Sequence, residues 1–158
     1  MTQLVGNDYD VIISYFKENP ISSSSAFKDP YLIEAEFVDY SIKDNLFNYR
    51  QLFFSDDNRL NFACFRLRKK PISSLIADLV YIDTNSYQNL VDKMKIVFDE
   101  IKENYNDLNK INISLLEKDR ANNLGLEDFL SLSGFYLEAT FYDEFGLGNH
   151  VLVYSKYL

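Results

Sequence analysis

Tryptophan is absent from the 158 residues, and cysteine and histidine occur once each, as Cys64 and His150. One thiol makes no intramolecular disulfide, and one thiol with one imidazole falls short of the ligand set of a structural zinc site. The expected compartment is the reducing cytoplasm. Glycine and proline are scarce, at five and three residues, which excludes collagen-like and linker-rich architectures. No apolar run approaches the roughly 20 residues that cross a bilayer, and residues 1–10 have neither the basic flank nor the apolar core of a secretory signal. A soluble chain with no membrane partner is expected. Basic side chains number 16 against 24 acidic ones, a net charge of -8. That sign repels phosphate backbones, so nucleic acid is not an expected partner.

What is abundant is apolar and aromatic: 47% of residues are hydrophobic, with 13 Phe and 12 Tyr. A chain of this length buries roughly 70% of its unfolded surface and needs no metal to hold a core. One domain over residues 1–158 is expected. The four serines of 22–25 are the only low-complexity segment and read as a loop.

Asn7 can cap a helix carrying Tyr9, Ile12, Ile13 and Phe16, which Pro20 stops. Asp29-Pro30 offers a second helix start over residues 30–40, although Tyr31, Ile33, Ala35 and Phe37 also alternate as in a strand. From Leu46 the period becomes two, and residues 48–54, 60–68 and 74–82 form an expected antiparallel meander with turns at 55–58 and 69–71. Tyr87, Leu90, Val91, Met94, Val97, Phe98, Ile101 and Tyr105 then trace a helical stripe behind the capping oxygens of Thr84, Asn85 and Ser86. Residues 111–115 alternate as a strand, 124–132 form a short helix ending at Gly134, and 136–145 with 150–157 form a hairpin. Gly146, Gly148 and Asn149 suit its turn, and no helix follows them to make a phosphate loop. A strand joined through a long helix to the next strand implies a parallel pair inside an otherwise antiparallel sheet.

This order resembles the GCN5-related N-acetyltransferase (GNAT) superfamily. Leu132-Ser133-Gly134-Phe135 is similar to that family's Leu-Gly-Phe after its last helix. The Tyr-Leu-Glu-Ala-Thr stretch from Tyr136 and the closing Val151-Leu152-Val153-Tyr154 follow it as the family's terminal hairpin does. The likeness in residues covers the last quarter of the chain, and topology extends it. It implies an α/β (α+β) fold: a mixed, mostly antiparallel sheet with flanking helices and a splayed parallel strand pair.

The resemblance also implies a site. Acetyl-CoA would lie where the two parallel strands diverge, its pantetheine pairing with the strand edge at Val80, Tyr81 and Ile82, its pyrophosphate at the helix start, Asn85 and Ser86. Asn123 falls on the family's cofactor-contacting asparagine. Leu130 falls on its proton-donating tyrosine, and the phosphate-loop glycines are replaced by Asp83-Thr84-Asn85-Ser86. Glycine serves there because backbone amides must approach the phosphates closely.

Asp78 stands in the middle of an apolar strand, with Ile76, Val80 and Ile82 expected on its face. In some relatives an acid on this strand takes the amine proton, and burial favours such a base. A half-exposed edge or a paired acid is the alternative. His150 reads as a rim residue or a substitute base, and Cys64 as a buried structural thiol. Arg66, Arg68, Lys69 and Lys70 read as a solvated hairpin end that deters edge pairing.

Two functions stay open. The first is an N-acetyltransferase moving an acyl group from acetyl-CoA to a small-molecule or protein amine, entering between residues 22–28 and 146–150. An acidic surface suits a cationic acceptor. The second is a degenerate member of the fold that binds a partner without transferring a group.

Overall fold

A computed structural model of the chain describes residues 1–4, 14, 18, 27–31, 49–56, 61–68, 75–123 and 125–158. Its strands are β1 (Thr2–Leu4), β2 (Phe27–Lys28), β3 (Tyr49–Ser55), β4 (Asn61–Arg68), β5 (Leu75–Thr84), β6 (Leu108–Leu116), β7 (Tyr136–Phe141) and β8 (Val151–Tyr157). Its helices are α1 (Tyr87–Asn104), α2 (Glu117–Asn122) and α3 (Leu126–Leu132). The sheet runs β1-β3-β4-β5-β6-β8-β7, and β2 attaches to β5 off that path. Every pair is antiparallel except β5 with β6. The parallel pair and the mixed sheet expected from the sequence are therefore present.

Helix α1 forms where its stripe and cap predict. Ser86 sits in extended conformation at its N-cap, with its hydroxyl accepting from the Asn89 amide at 3.3 Å. Leu90, Val91, Met94, Val97, Phe98 and Ile101 are buried. They pack on the sheet face that carries Phe65, Ala77, Leu79, Ile82, Ile113 and Leu152, and each is worth about 1.5–3 kcal/mol in removed apolar surface. Phe98 meets Phe65 and Phe135 edge to face, at 6.3 and 5.9 Å between ring centres. On the opposite face Phe53, Phe62, Cys64 and Tyr81 are buried as well, so β4 and β5 are covered on both sides. Burial pushes the Cys64 thiol well above its ordinary range, as befits a structural cysteine.

Several expectations need correction. The short helix predicted over 124–132 is present as α3, which starts at Leu126 behind Gly125 with its positive φ of 91°, and a further helix that the sequence reading did not place, α2, precedes it. The last two strands stop at Phe141 and start at Val151, because residues 142–150 fold into a loop of their own. Asp143 adopts φ 55° there, and its carboxylate accepts the Gly148 amide at 2.7 Å. Pro30 and Tyr31 lie in a turn, and the rest of the predicted 30–40 helix falls outside the described residues. So do the 22–25 loop, the turn residues 57–58 and 69–71, and the 7–20 helix apart from Ser14 and Glu18, which are helical.

Candidate functional site

Strand β5 runs beside β6 from Leu75↔Leu108 to Asp78↔Asn112, and there the pairing ends. Along its other edge β5 stays paired with β4 up to Asn61↔Thr84. The register slips between Cys64 and Phe65, which face Tyr81 and Leu79, so Val80 is the extra residue of a bulge. That bulge overturns one expectation. Alternation fails at Val80, and Ile82 joins Ala77 and Leu79 on the α1 face instead of sharing the face of Asp78.

Asp78 is buried at the base of the split, and its carboxylate lies 3.7 Å from the Arg66 guanidinium across β4. The arrangement is that of a paired acid. The same register row continues through Asn112 to Ser155, whose hydroxyl is 2.9 Å from Asn112 Oδ1 and close to the Glu138 carboxylate. A polar row thus crosses the sheet between positions that on β4, β5 and β6 are apolar: Leu67, Ala77 and Ile111 on one side, Phe65, Leu79 and Ile113 on the other. In the sequence its members are ordinary polar residues at alternate positions, and only the register joins them.

The β5 edge released by β6 is occupied by the chain itself. Phe27 pairs with Ile82, Lys28 pairs with Tyr81, and the Asp29 amide donates to the Val80 carbonyl at 2.8 Å. The residues expected to hold pantetheine are thereby the partners of β2 and of Asp29 after it, and sequence patterning missed this strand because two residues show no period. Phe27 is buried in the core. Beyond it the Asp29 carboxylate accepts the Tyr31 amide at 2.8 Å, a turn that Pro30 stiffens. Tyr31 then packs on Phe145 of the β7–β8 loop, 5.2 Å between ring centres. Burial, then the charge and hydrogen bond of Glu144, raise the Tyr31 phenol above its ordinary pKa.

At the far end of β5 the chain turns into α1. The Thr84 hydroxyl accepts the Ser86 amide at 3.1 Å, so this turn closes without a residue in the left-handed region and without glycine. Asn85 is exposed, and the helix start keeps the Tyr87 and Gln88 amides as end donors. A groove of about 410 Å³ opens between the beginnings of α1 and α3, lined by Ser86, Tyr87, Gln88, Gly125, Asp128 and Phe129. Asn123 reaches its rim, where its amide nitrogen donates to the Tyr87 hydroxyl at 3.0 Å. Burial raises the Tyr87 phenol, while the bonds from Asn123 and the Phe27 backbone pull the other way. Sequence reasoning placed Tyr87 only on the helix stripe. Its part in the site shows only where the two helix starts meet.

Leu130, at the position of the family's tyrosine, is 1% exposed and belongs to the core beneath α3. His150 lies outside β8: its carbonyl accepts the Glu117 amide at 3.0 Å and its Nδ1 accepts the Asp143 amide at 3.1 Å. The imidazole therefore closes the 142–150 loop from within. Among the described residues no group of three His, Cys, Asp or Glu side chains is placed to hold a metal ion, and no helix is long and apolar enough to cross a membrane.

No family model and no curated protein matches the sequence. Solved structures do match. A putative GNAT acetyltransferase from Desulfovibrio desulfuricans is 14% identical with a TM-score of 0.61, the match covering 99% of this chain and 96% of that one. The ribosomal-protein-S5-alanine acetyltransferase from Vibrio fischeri is 14% identical at TM-score 0.62, covering 99% and 91%. A chimeric spermidine N-acetyltransferase from Vibrio cholerae is 16% identical at TM-score 0.60, covering 99% and 96%. Identities this low carry the fold and nothing finer. The strand order, the parallel pair that splits at Asp78 and the near-full coverage agree, and this chain has the fold of the GCN5-related N-acetyltransferases in a divergent form.

Proposed function

We propose that this protein transfers an acetyl group from acetyl-CoA to an amine. The observation that carries the proposal is the split of β5 from β6 above Asp78↔Asn112, with the Val80 bulge at its mouth and the start of α1 beyond it. A split of this kind takes β6 off strand-edge amides and carbonyls beside a helix start, and that edge, here covered by Phe27, Lys28 and Asp29, suits an extended amide-bearing chain that ends in phosphates. Val80, Tyr81 and Ile82 would hold the pantetheine arm, and Asn85 and Ser86 would flank the phosphates. Asn123 would turn from Tyr87 to the donor. Asp83 and Asp128 beside this path weaken the attraction for phosphate, so donor binding is weaker than a glycine loop with basic flanks would give.

In the transfer, the ammonium gives a proton to a base, the neutral nitrogen attacks the thioester carbonyl to form the amide bond, and the carbon–sulfur bond breaks to release the coenzyme A thiolate, which with the nitrogen's second proton leaves as the thiol through solvent. Asp78 is the proposed base, reached from the base of the split. The acceptor is proposed to be cationic. The net charge of -8 favours it, and the charges of Asp29 and Glu144 both act on the Tyr31 phenol where the segment from Phe27 to Tyr31 meets the β7–β8 loop. The spermidine enzyme among the structural matches is named for such an amine.

Thermal unfolding with increasing acetyl-CoA tests the donor. Saturable stabilisation is expected, about 2.7 kcal/mol at 100 times the dissociation constant. No shift up to millimolar acetyl-CoA would overturn the proposal and leave a binding module on this fold.

A further inference from the structure

We infer that the segment from Phe27 to Tyr31 is a strap that competes with the acyl donor for one strand edge, so that donor binding requires the strap to lift. This rests on the acetyltransferase function proposed above.

A strand edge offers each amide and carbonyl to one partner at a time. Beyond Asp78 the edge of β5 that leaves β6 is engaged at Val80, whose carbonyl takes the Asp29 amide, and at Ile82, paired with Phe27. These are the backbone groups an extended donor arm would need in the same place. The two strand edges of β5 differ greatly in how firmly they are held. Its pairing with β4 spans seven residue pairs, from Asn61↔Thr84 to Leu67↔Ala77, whereas its pairing with β2 spans two. The strap can therefore leave while the sheet stays whole, a local opening of the kind that binding segments show.

Its closed position is secured at both ends. The Phe27 side chain lies in the core beside Tyr87, and the Tyr31 ring rests on Phe145. Between them the Asp29–Tyr31 turn sets the direction of the chain. Tyr87 links the strap to the helix start, since its hydroxyl also takes the bond from Asn123. A donor seated in the split would displace the strap and release Asn123 together. The observed donor affinity is then the intrinsic affinity multiplied by the fraction of molecules with the strap open.

Tyr31 is 39% exposed, so Tyr31→Ala removes the outer clamp without emptying the core. Coenzyme A binding by calorimetry, to the parent and to Tyr31→Ala and Asp29→Ala, is the test. Both variants are expected to bind about tenfold tighter, and hydrogen exchange at the Phe27, Lys28, Asp29 and Tyr31 amides of the parent is expected to speed up on saturation with coenzyme A while β4 stays protected. Equal or weaker binding by the variants, with unaltered circular dichroism, overturns the strap. So does unchanged exchange at 27–31 in the coenzyme-bound parent. If neither parent nor variants bind coenzyme A at millimolar concentration, the acetyltransferase function falls and the strap's competition falls with it. Binding without strap release overturns the strap alone.

Discussion

Asn123 and Tyr87, 36 residues apart, meet through a 3.0 Å bond from amide nitrogen to phenol. The family resemblance assigns this asparagine to the donor, and in this structure its partner is a side chain at the start of α1. Tyr87→Phe keeps the ring against Phe129, at 5.8 Å between centres, and removes only the hydroxyl. A loss of about 1 kcal/mol is expected in urea unfolding. Unchanged stability would mean that the hydroxyl's bonds, from Asn123 and from the Phe27 backbone, contribute nothing.

The Asp78–Arg66 pair yields two readouts. Asp78→Asn removes the countercharge of a guanidinium whose side chain is only 16% exposed, and about 2–3 kcal/mol of stability should go with it. If Asp78 is also the base, the turnover rate falls at least about 100-fold with coenzyme A affinity unchanged. A rate within about threefold of the parent would leave Asp78 as an ion-pair partner, and water or His150 would accept the proton.

Asp56 ties the end of β3 to α1. Its carboxylate lies 2.7 Å from Lys93 Nζ and accepts the Asn61 amide at 3.1 Å and side-chain amide at 2.6 Å. Burial pushes its pKa up, but the bonds from Lys93 and Asn61 together hold it at about 2, below the ordinary 3.8. A depressed carboxylate stabilises the fold above its unfolded pKa and loses that contribution as pH falls through the folded one. The stability difference between parent and Asp56→Asn should be about 1–2 kcal/mol at pH 7, hold to about pH 5, and vanish near pH 2. A difference that does not change with pH would show that the carboxylate's charge plays no part.

By the family resemblance, a tyrosine at position 130 would raise turnover or leave it unchanged, whereas the structure puts that position in the core. Leu130 faces the core with Phe129 and Leu126, so Leu130→Tyr must fit extra atoms and a hydroxyl into a filled space. A fall of about 1–3 kcal/mol in stability is expected, with no gain in turnover. A variant both stable and faster would show that position 130 opens to the split.

Sequence alone determined the elements whose own periodicity repeats. The α1 stripe runs through five turns of alternating buried and exposed residues, and β3, β4, β6 and β8 carry enough apolar positions to announce themselves. The parallel pair followed from connectivity, since a helix of this length must carry the chain back to the starting end of the sheet. Ser86 as the cap of α1 and the glycine-free turn before it could also be named from residue order. Tertiary structure decided everything that depends on register between distant segments. The Val80 bulge, which moves Ile82 to the other face, arises from pairing with β4 and leaves no mark in the β5 sequence. The row from Arg66 through Asp78 and Asn112 to Ser155 exists only once four strands align. Phe27 and Lys28 become a strand because β6 turns away and leaves backbone groups unpaired. Periodicity reports how one segment meets its own core, whereas an edge partner is chosen by whichever distant backbone comes to satisfy the exposed amides and carbonyls.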